Sequence, residues 1–140
     1  MNRKQRTEIL IRGSADLAGQ LAQEILDLYE VSIVEESHHG MVMVKMRESA
    51  QRSLFYLGEV LITECKVMIN GALGIGMVKG DEPSLARNLA VIDAAYNGNL
   101  PETKPWQDIL LAEDSHINQE NAQFADSILK TKVNFETMNV

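Results

Sequence analysis

Residues 58–80 read GEVLITECKVMINGALGIGMVKG, two alternating apolar runs that meet at Asn70-Gly71. Asn-Gly accepts the positive φ angles of a type I′ turn at little steric cost, so the pattern predicts a β-hairpin. Side chains alternate along a strand. On the first strand Leu61, Thr63, Cys65, Val67 and Ile69 therefore share one face, and Val60, Ile62, Glu64, Lys66 and Met68 the other. On the second, Leu73, Ile75 and Met77 oppose a nearly bare face of Ala72, Gly74, Gly76, Val78 and Gly80. Bare glycine in a strand marks close approach by another backbone. The next segment fits that role: Leu85, Leu89, Ile92 and Tyr96 recur at helical spacing beside a smooth stripe of Ala86, Ala90 and Ala94. If this helix covers the glycines, the Leu73, Ile75, Met77 face still needs a cover, from another layer of the chain or from a second protein.

The flanking patterns complete an α+β fold. Residues 3–12 predict a helix with Arg3, Lys4, Arg6 and Arg12 on its basic side and Ile9 and Leu10 on its apolar side, ended by Gly13. Ser14 is the expected N-cap of a second helix, striped by Leu17, Leu21, Ile25 and Leu28. Two short strands, VSIVEE from Val31 and MVMVKM from Met41, are expected around a turn at 37–40, and another strand at 53–57. The result is a mostly antiparallel sheet of about five strands over 31–80, because the connections are too short for crossovers. N-terminal helices over about 3–29 precede it and helices over about 83–130 follow it. The last third predicts a short helix around Trp106, Ile109 and Leu110, then a longer one carrying Ile117, Phe124 and Ile128. The tail 131–140 alternates Val133, Phe135 and Thr137 with polar residues and is expected to be extended, as an added strand or an arm onto a partner.

Length and charge narrow the classes of partner. A chain of 140 residues suits one domain with an ordinary core. A net charge of -7 argues against nucleic acid, whose binding is driven by clustered Lys and Arg, but suits a basic protein partner. No stretch is long and apolar enough to span a bilayer, so the expectation is a soluble cytoplasmic protein. The single cysteine, Cys65, excludes an internal disulfide and is expected to be a packed, inert thiol.

Candidate chemistry is sparse. The glycines between 71 and 80 precede a helix, yet their spacing fits neither the dinucleotide nor the Walker pattern, and Asp81 and Glu82 would put carboxylates where a phosphate should sit. A stand-alone anion- or nucleotide-binding module, or a small enzyme, using segment Gly71 to Gly80 is the second reading, behind packing glycines. His38 and His39 are adjacent and expected in a solvated turn rather than on one metal ion. Glu59 and Glu64 project to opposite faces, with Lys66 or Lys79 available to pair with Glu64. His116 lies in a helical region beside Glu113 and Asp114. No catalytic, cofactor-binding or metal-binding residue follows from these patterns.

A resemblance adds what spacing does not. Leu57-Gly58-Glu59-Val60, then Thr63-Glu64-Cys65, Gly71, Gly74, Gly76-Met77-Val78 and Gly80-Asp81, the helix ending in Ile92-Asp93-Ala94-Ala95, and the closing Val133-Asn134-Phe135-Glu136-Thr137-Met138 together resemble the PhnG family of the bacterial carbon-phosphorus lyase system. The resemblance runs in one register from about Arg6 to Met138. It departs at Glu136, where the family often has a bulky residue. It implies a core subunit, dimeric and working with PhnH, PhnI and PhnL. That group transfers an alkylphosphonate to C1′ of the ribose of MgATP and releases adenine, with PhnJ cleaving the carbon-phosphorus bond later. MgATP would be a substrate of the assembly, with no cofactor bound by this chain. The expected interface residues are Leu73, Ile75, Met77, Trp106, Val133, Phe135 and Met138.

Overall fold

The computed structural model describes residues 2–47 and 54–138, with side chains given except at 15, 44–47, 54–57 and 127–138. Helix α1 (Arg3–Arg12) starts at a capping box in which Asn2 and Gln5 satisfy each other's backbone N–H, and it stops at Gly13. Ser14 then accepts from the Asp16 N–H to start α2 (Ala15–Leu28). Ile9, Leu10, Leu21 and Ile25 are buried as their spacing predicts, whereas Leu28 is exposed.

Among the described residues the sheet has three antiparallel strands in the order β1-β2-β3, not the expected five or so: β1 (Ser32–Arg47), β2 (Leu54–Ile69) and β3 (Ala72–Lys79). The difference has a physical cause. Positions that read as breaks are irregularities inside continuous strands. The pairing shifts between Ile33 and Glu35, between Glu35 and His38, and between Val44 and Lys45. Extra residues are absorbed as bulges that leave the strand intact. The expected turn at 37–40 is therefore strand, and Gly58, at φ +150, sits beside the third irregularity. The β2-β3 hairpin forms as predicted, with positive φ at both Asn70 (50) and Gly71 (83), the signature of a type I′ turn.

Helix α3 (Pro83–Asn97) lies on the bare side of that hairpin. A Cβ at Gly74 would fall on the Ala90 carbonyl and the Ala94 amide, and one at Gly76 on the Ala86 carbonyl. Contact is thus backbone to backbone, and Ala86, Ala90 and Ala94 are fully buried along the seam. Thr63 closes the connection from the sheet into α3: its hydroxyl donates to the Gly80 carbonyl and accepts from the Glu82 N–H. Cys65, Val67 and Ile69 complete the core on this side, and Cys65 is a free, fully buried thiol.

Helix α2 packs on the far side of α3, and α1 packs against α2 and α4 (Trp106–Met138). After a short 3-10 turn at Pro101–Thr103, α4 runs as one helix where two were expected. It continues through 131–138, so that part of the expected extended tail is helical; residues 139–140 lie outside the described residues. All the helices that reach the sheet do so from one side through α3.

Gly76→Ala must push the α3 backbone away from β3. We expect it to lower stability by about 1–3 kcal/mol or more, seen as a fall in the urea midpoint, whereas Gly71→Asn at the exposed turn costs far less.

Candidate functional site

Two neighbouring regions bear on function: the open face of the sheet and the edge of β3. On the open face, Glu64, Lys66 and Met68 of β2 lie opposite Met77, Ile75 and Leu73 of β3. Leu73 is 40% exposed, Met77 45% and Met68 37%, values far above those of core residues, and no element covers them among the described residues. Leu73 and Met77 are thus uncovered among the described residues, with Ile75 between them half-buried.

Toward β1 the same face becomes polar. The Lys66 ammonium stands 3.5 Å from a carboxylate oxygen of Glu35 and 3.5 Å from one of Glu64, and His38 Nε2 is 4.0 Å from Glu35. Glu35, His38 and Glu64 could in principle converge on a cation. Lys66 already supplies the positive charge between the two carboxylates. Those carboxylates, Glu35 first and Glu64 second, raise the Lys66 pKa above its ordinary value. Glu59 lies opposite Met43 on the other face, so the two glutamates of β2 do not converge. His38 and His39 are exposed but on strand, pointing to opposite faces; His39 Nε2 is 2.7 Å from Asp81.

At the edge, Asp93 of α3 is buried and does several jobs at once. Its carboxylate accepts from Arg6 (2.9 Å), from Arg3 (3.1 Å) and from the outward-facing N–H of Ile75 (2.9 Å). Asn97, one turn on, donates to the Leu73 carbonyl at 2.7 Å. Part of an edge strand's unpaired backbone is thereby satisfied. Arg6 is buried, with its guanidinium 3.9 Å over the Tyr96 ring. Burial lowers the Arg6 pKa, and Asp93 partly opposes that shift. Burial likewise raises the Tyr96 pKa, with Arg6 opposing.

Trp106, expected at an interface, is fully buried; its indole N–H donates to Glu24 at 2.9 Å and its ring meets Tyr96 at 5.8 Å between centroids. It is a core anchor. Val133, Phe135 and Met138 are on α4 by backbone, but their side chains lie outside the described residues. The glycine face offers no anion cradle, because the α3 backbone fills it. His116 pairs with Glu120 on an exposed helical turn, 3.0 Å apart. Sequence reasoning missed Arg6 and Asp93. The signal available was an aspartate on the apolar stripe of the α3 pattern, between Ile92 and Ala94.

The sequence model of the family described as phosphonate metabolism protein PhnG matches residues 1–139. The chain belongs to the PhnG family. That membership implies a role in phosphonate metabolism. No curated protein matches the chain. No helix among the described residues is long and apolar enough to cross a membrane.

Asp93→Ala leaves the Arg6 charge buried without its partner and strips the Ile75 N–H, so we expect a loss of about 3–5 kcal/mol. Arg3 is mostly exposed, and Arg3→Ala should cost less than about 1 kcal/mol. Paired thermal denaturation curves check the contrast. The raised Lys66 pKa means the folded chain holds that proton more tightly than the unfolded chain does. Its contribution is complete below the ordinary value of 10.5 and is lost as pH rises through the higher folded value. Lys66→Met should therefore flatten the fall in stability above pH 10.5, measured by urea titration across the alkaline range.

Proposed function

We propose that this chain is a structural core subunit of the carbon-phosphorus lyase assembly, not catalytic alone. In this reading it supports transfer of alkylphosphonate to C1′ of the ribose of MgATP, with release of adenine and formation of ribose 1-alkylphosphonate 5-triphosphate. Its partners are PhnH-, PhnI- and PhnL-type subunits, with a PhnJ-type subunit acting later and a second copy of the chain within the complex. The setting is the cytoplasm.

The observation that carries the proposal is the uncovered apolar stripe of Leu73, Ile75, Met77 and Met68 on a sheet whose other face is packed against α3 at Thr63, Cys65, Val67 and Ile69. Stable subunit interfaces place such residues at their centre. Family membership supplies the metabolic setting. Two ionisable clusters are accounted for as ion pairs, Lys66 with two glutamates and Asp93 with two arginines. The second reading, a stand-alone anion- or nucleotide-binding module or small enzyme on segment 71–80, has less support, because Gly74 and Gly76 are buried against α3, leaving only Gly71 and Gly80 open.

The test is chromatographic detection of adenine released from MgATP and methylphosphonate by PhnH-, PhnI- and PhnL-type subunits, with and without this chain. Release should require the chain, and the chain alone should give none. Leu73→Asp with Met77→Asp should abolish both release and co-purification with the PhnI-type subunit, since a buried anchor contributes about 2 kcal/mol or more. Undiminished release without the chain sinks the proposal.

A further inference from the structure

The edge of β3 and helix α1 enclose a groove of about 490 Å³ floored by Leu10, Leu89 and Ile92. One wall is the strand edge at Ile75 and Met77, and the other is the α1 surface bearing Arg3 and Lys4. Gly80 donates its N–H to the Leu61 carbonyl, so even-numbered residues of β3 bond inward to β2 and odd-numbered ones turn their backbone groups outward. Asp93 and Asn97 satisfy two of those outward groups, the Ile75 N–H and the Leu73 carbonyl. The Ile75 carbonyl and both backbone groups of Met77 have no partner among the described residues, and they open onto the groove.

We infer that this groove takes an extended, acidic segment of a partner protein, which adds to β3 as a fourth strand and sets carboxylates against Arg3 and Lys4. Strand addition of this kind takes its affinity from main-chain hydrogen bonds and its specificity from the pockets that receive alternate side chains. Apolar side chains of the segment meet the floor of Leu10, Leu89 and Ile92. The structure already contains the template for the charged half. Asp93 bridges an outward N–H of β3 to the guanidinium groups of α1, and Met77 and Lys4 line the same groove. Charge complementarity selects the class of partner: the groove is lined by Arg3, Lys4 and Arg6 against Asp93 and Glu8, a cationic excess on a chain of net charge -7, with Lys4 the cation not engaged by Asp93. Glu8 lies on the same wall and opposes an acidic segment at that position only. A second copy is a poorer occupant, because pairing two β3 edges brings the same cations together.

The groove uses the backbone edge of Ile75 and Met77, whose side chains belong to the open sheet face, and the inference does not depend on which assembly the chain joins. The probe is a short fluorescein-labelled peptide of alternating valine and glutamate, compared with its valine-lysine counterpart. Binding to the purified full chain is followed by anisotropy, and hydrogen exchange at the Met77 amide by NMR. We expect the glutamate peptide to bind at least about tenfold more tightly than the lysine peptide, to slow exchange at Met77, and to weaken with added salt. Lys4→Glu should reduce its affinity, and a denaturation curve matching the parent's shows that the fold is intact. Equal binding of both peptides, absence of binding, or an Met77 amide already protected by self-association overturns the inference. Adenine release by the reconstituted subunits is a separate readout, so either reading can fail alone.

Discussion

The close approach of the α3 backbone to β3 is the constraint on which the rest of the molecule depends. It requires hydrogen in place of a side chain at Gly74 and Gly76 and small side chains at Ala86, Ala90 and Ala94. Residues of ordinary size on either surface would hold the helix several ångströms farther out, since packed interiors leave no slack. Close approach brings Asp93 and Asn97 within reach of the outward backbone groups of β3. Asp93 then fixes α1 through Arg6 and Arg3. A seam made of absent side chains thus determines where the N-terminal helix sits. The groove beside the strand edge follows from the same geometry.

That seam also makes the fold one-sided. Antiparallel sheets tolerate one wet face when its side chains are polar. Here the β1 side of the open face meets that condition through Glu35, His38, Lys66 and Glu64, while the β3 side does not, presenting Leu73, Ile75 and Met77. The division runs along the sheet's width. It gives an apolar stripe bordered by charge on one flank, the arrangement of an interface core with part of its rim. With Met68 of β2 opposite Leu73, methionine contributes two of the four apolar positions, and its flexible thioether adapts to an irregular partner surface.

Much of this was legible in the sequence because it is local. Alternation across Asn70-Gly71 gave the hairpin, the facing glycine and alanine stripes gave the seam, and Gly13 and Ser14 gave the break between α1 and α2. The number of strands was not legible. A bulge and a turn use the same residue types, so His38-His39-Gly40 and Gly58 read as breaks although the pairing runs through them. Arg6 and Asp93 are 87 residues apart, and nothing local in a basic helix marks which arginine will be buried. Trp106 misled for a related reason: an isolated tryptophan suits an interface or a core equally well until Glu24 and Tyr96 are known to surround it. The open face could be inferred from alternation, but the groove at the strand edge depends on where α1 lands.

The long ribbon of β1 and β2 extends the argument from surfaces to folding. Met41, Met43 and Leu61 lie on the face that α3 covers farther along, yet all three remain exposed. Val42, on the opposite face, is exposed as well. Two strands without a third strand or a helix against them are marginal in water. The helices that stabilise the body of the sheet through Thr63, Cys65, Val67 and Ile69 give no such cover at Met41, Met43 and Leu61. Among the described residues nothing supplies that cover, so a partner that did would add free energy for holding this part of the ribbon in one conformation. An assembly that covers both of its faces would gain apolar burial and would also bear the entropy of ordering it. Affinity for such a partner and order in the ribbon would then be one equilibrium.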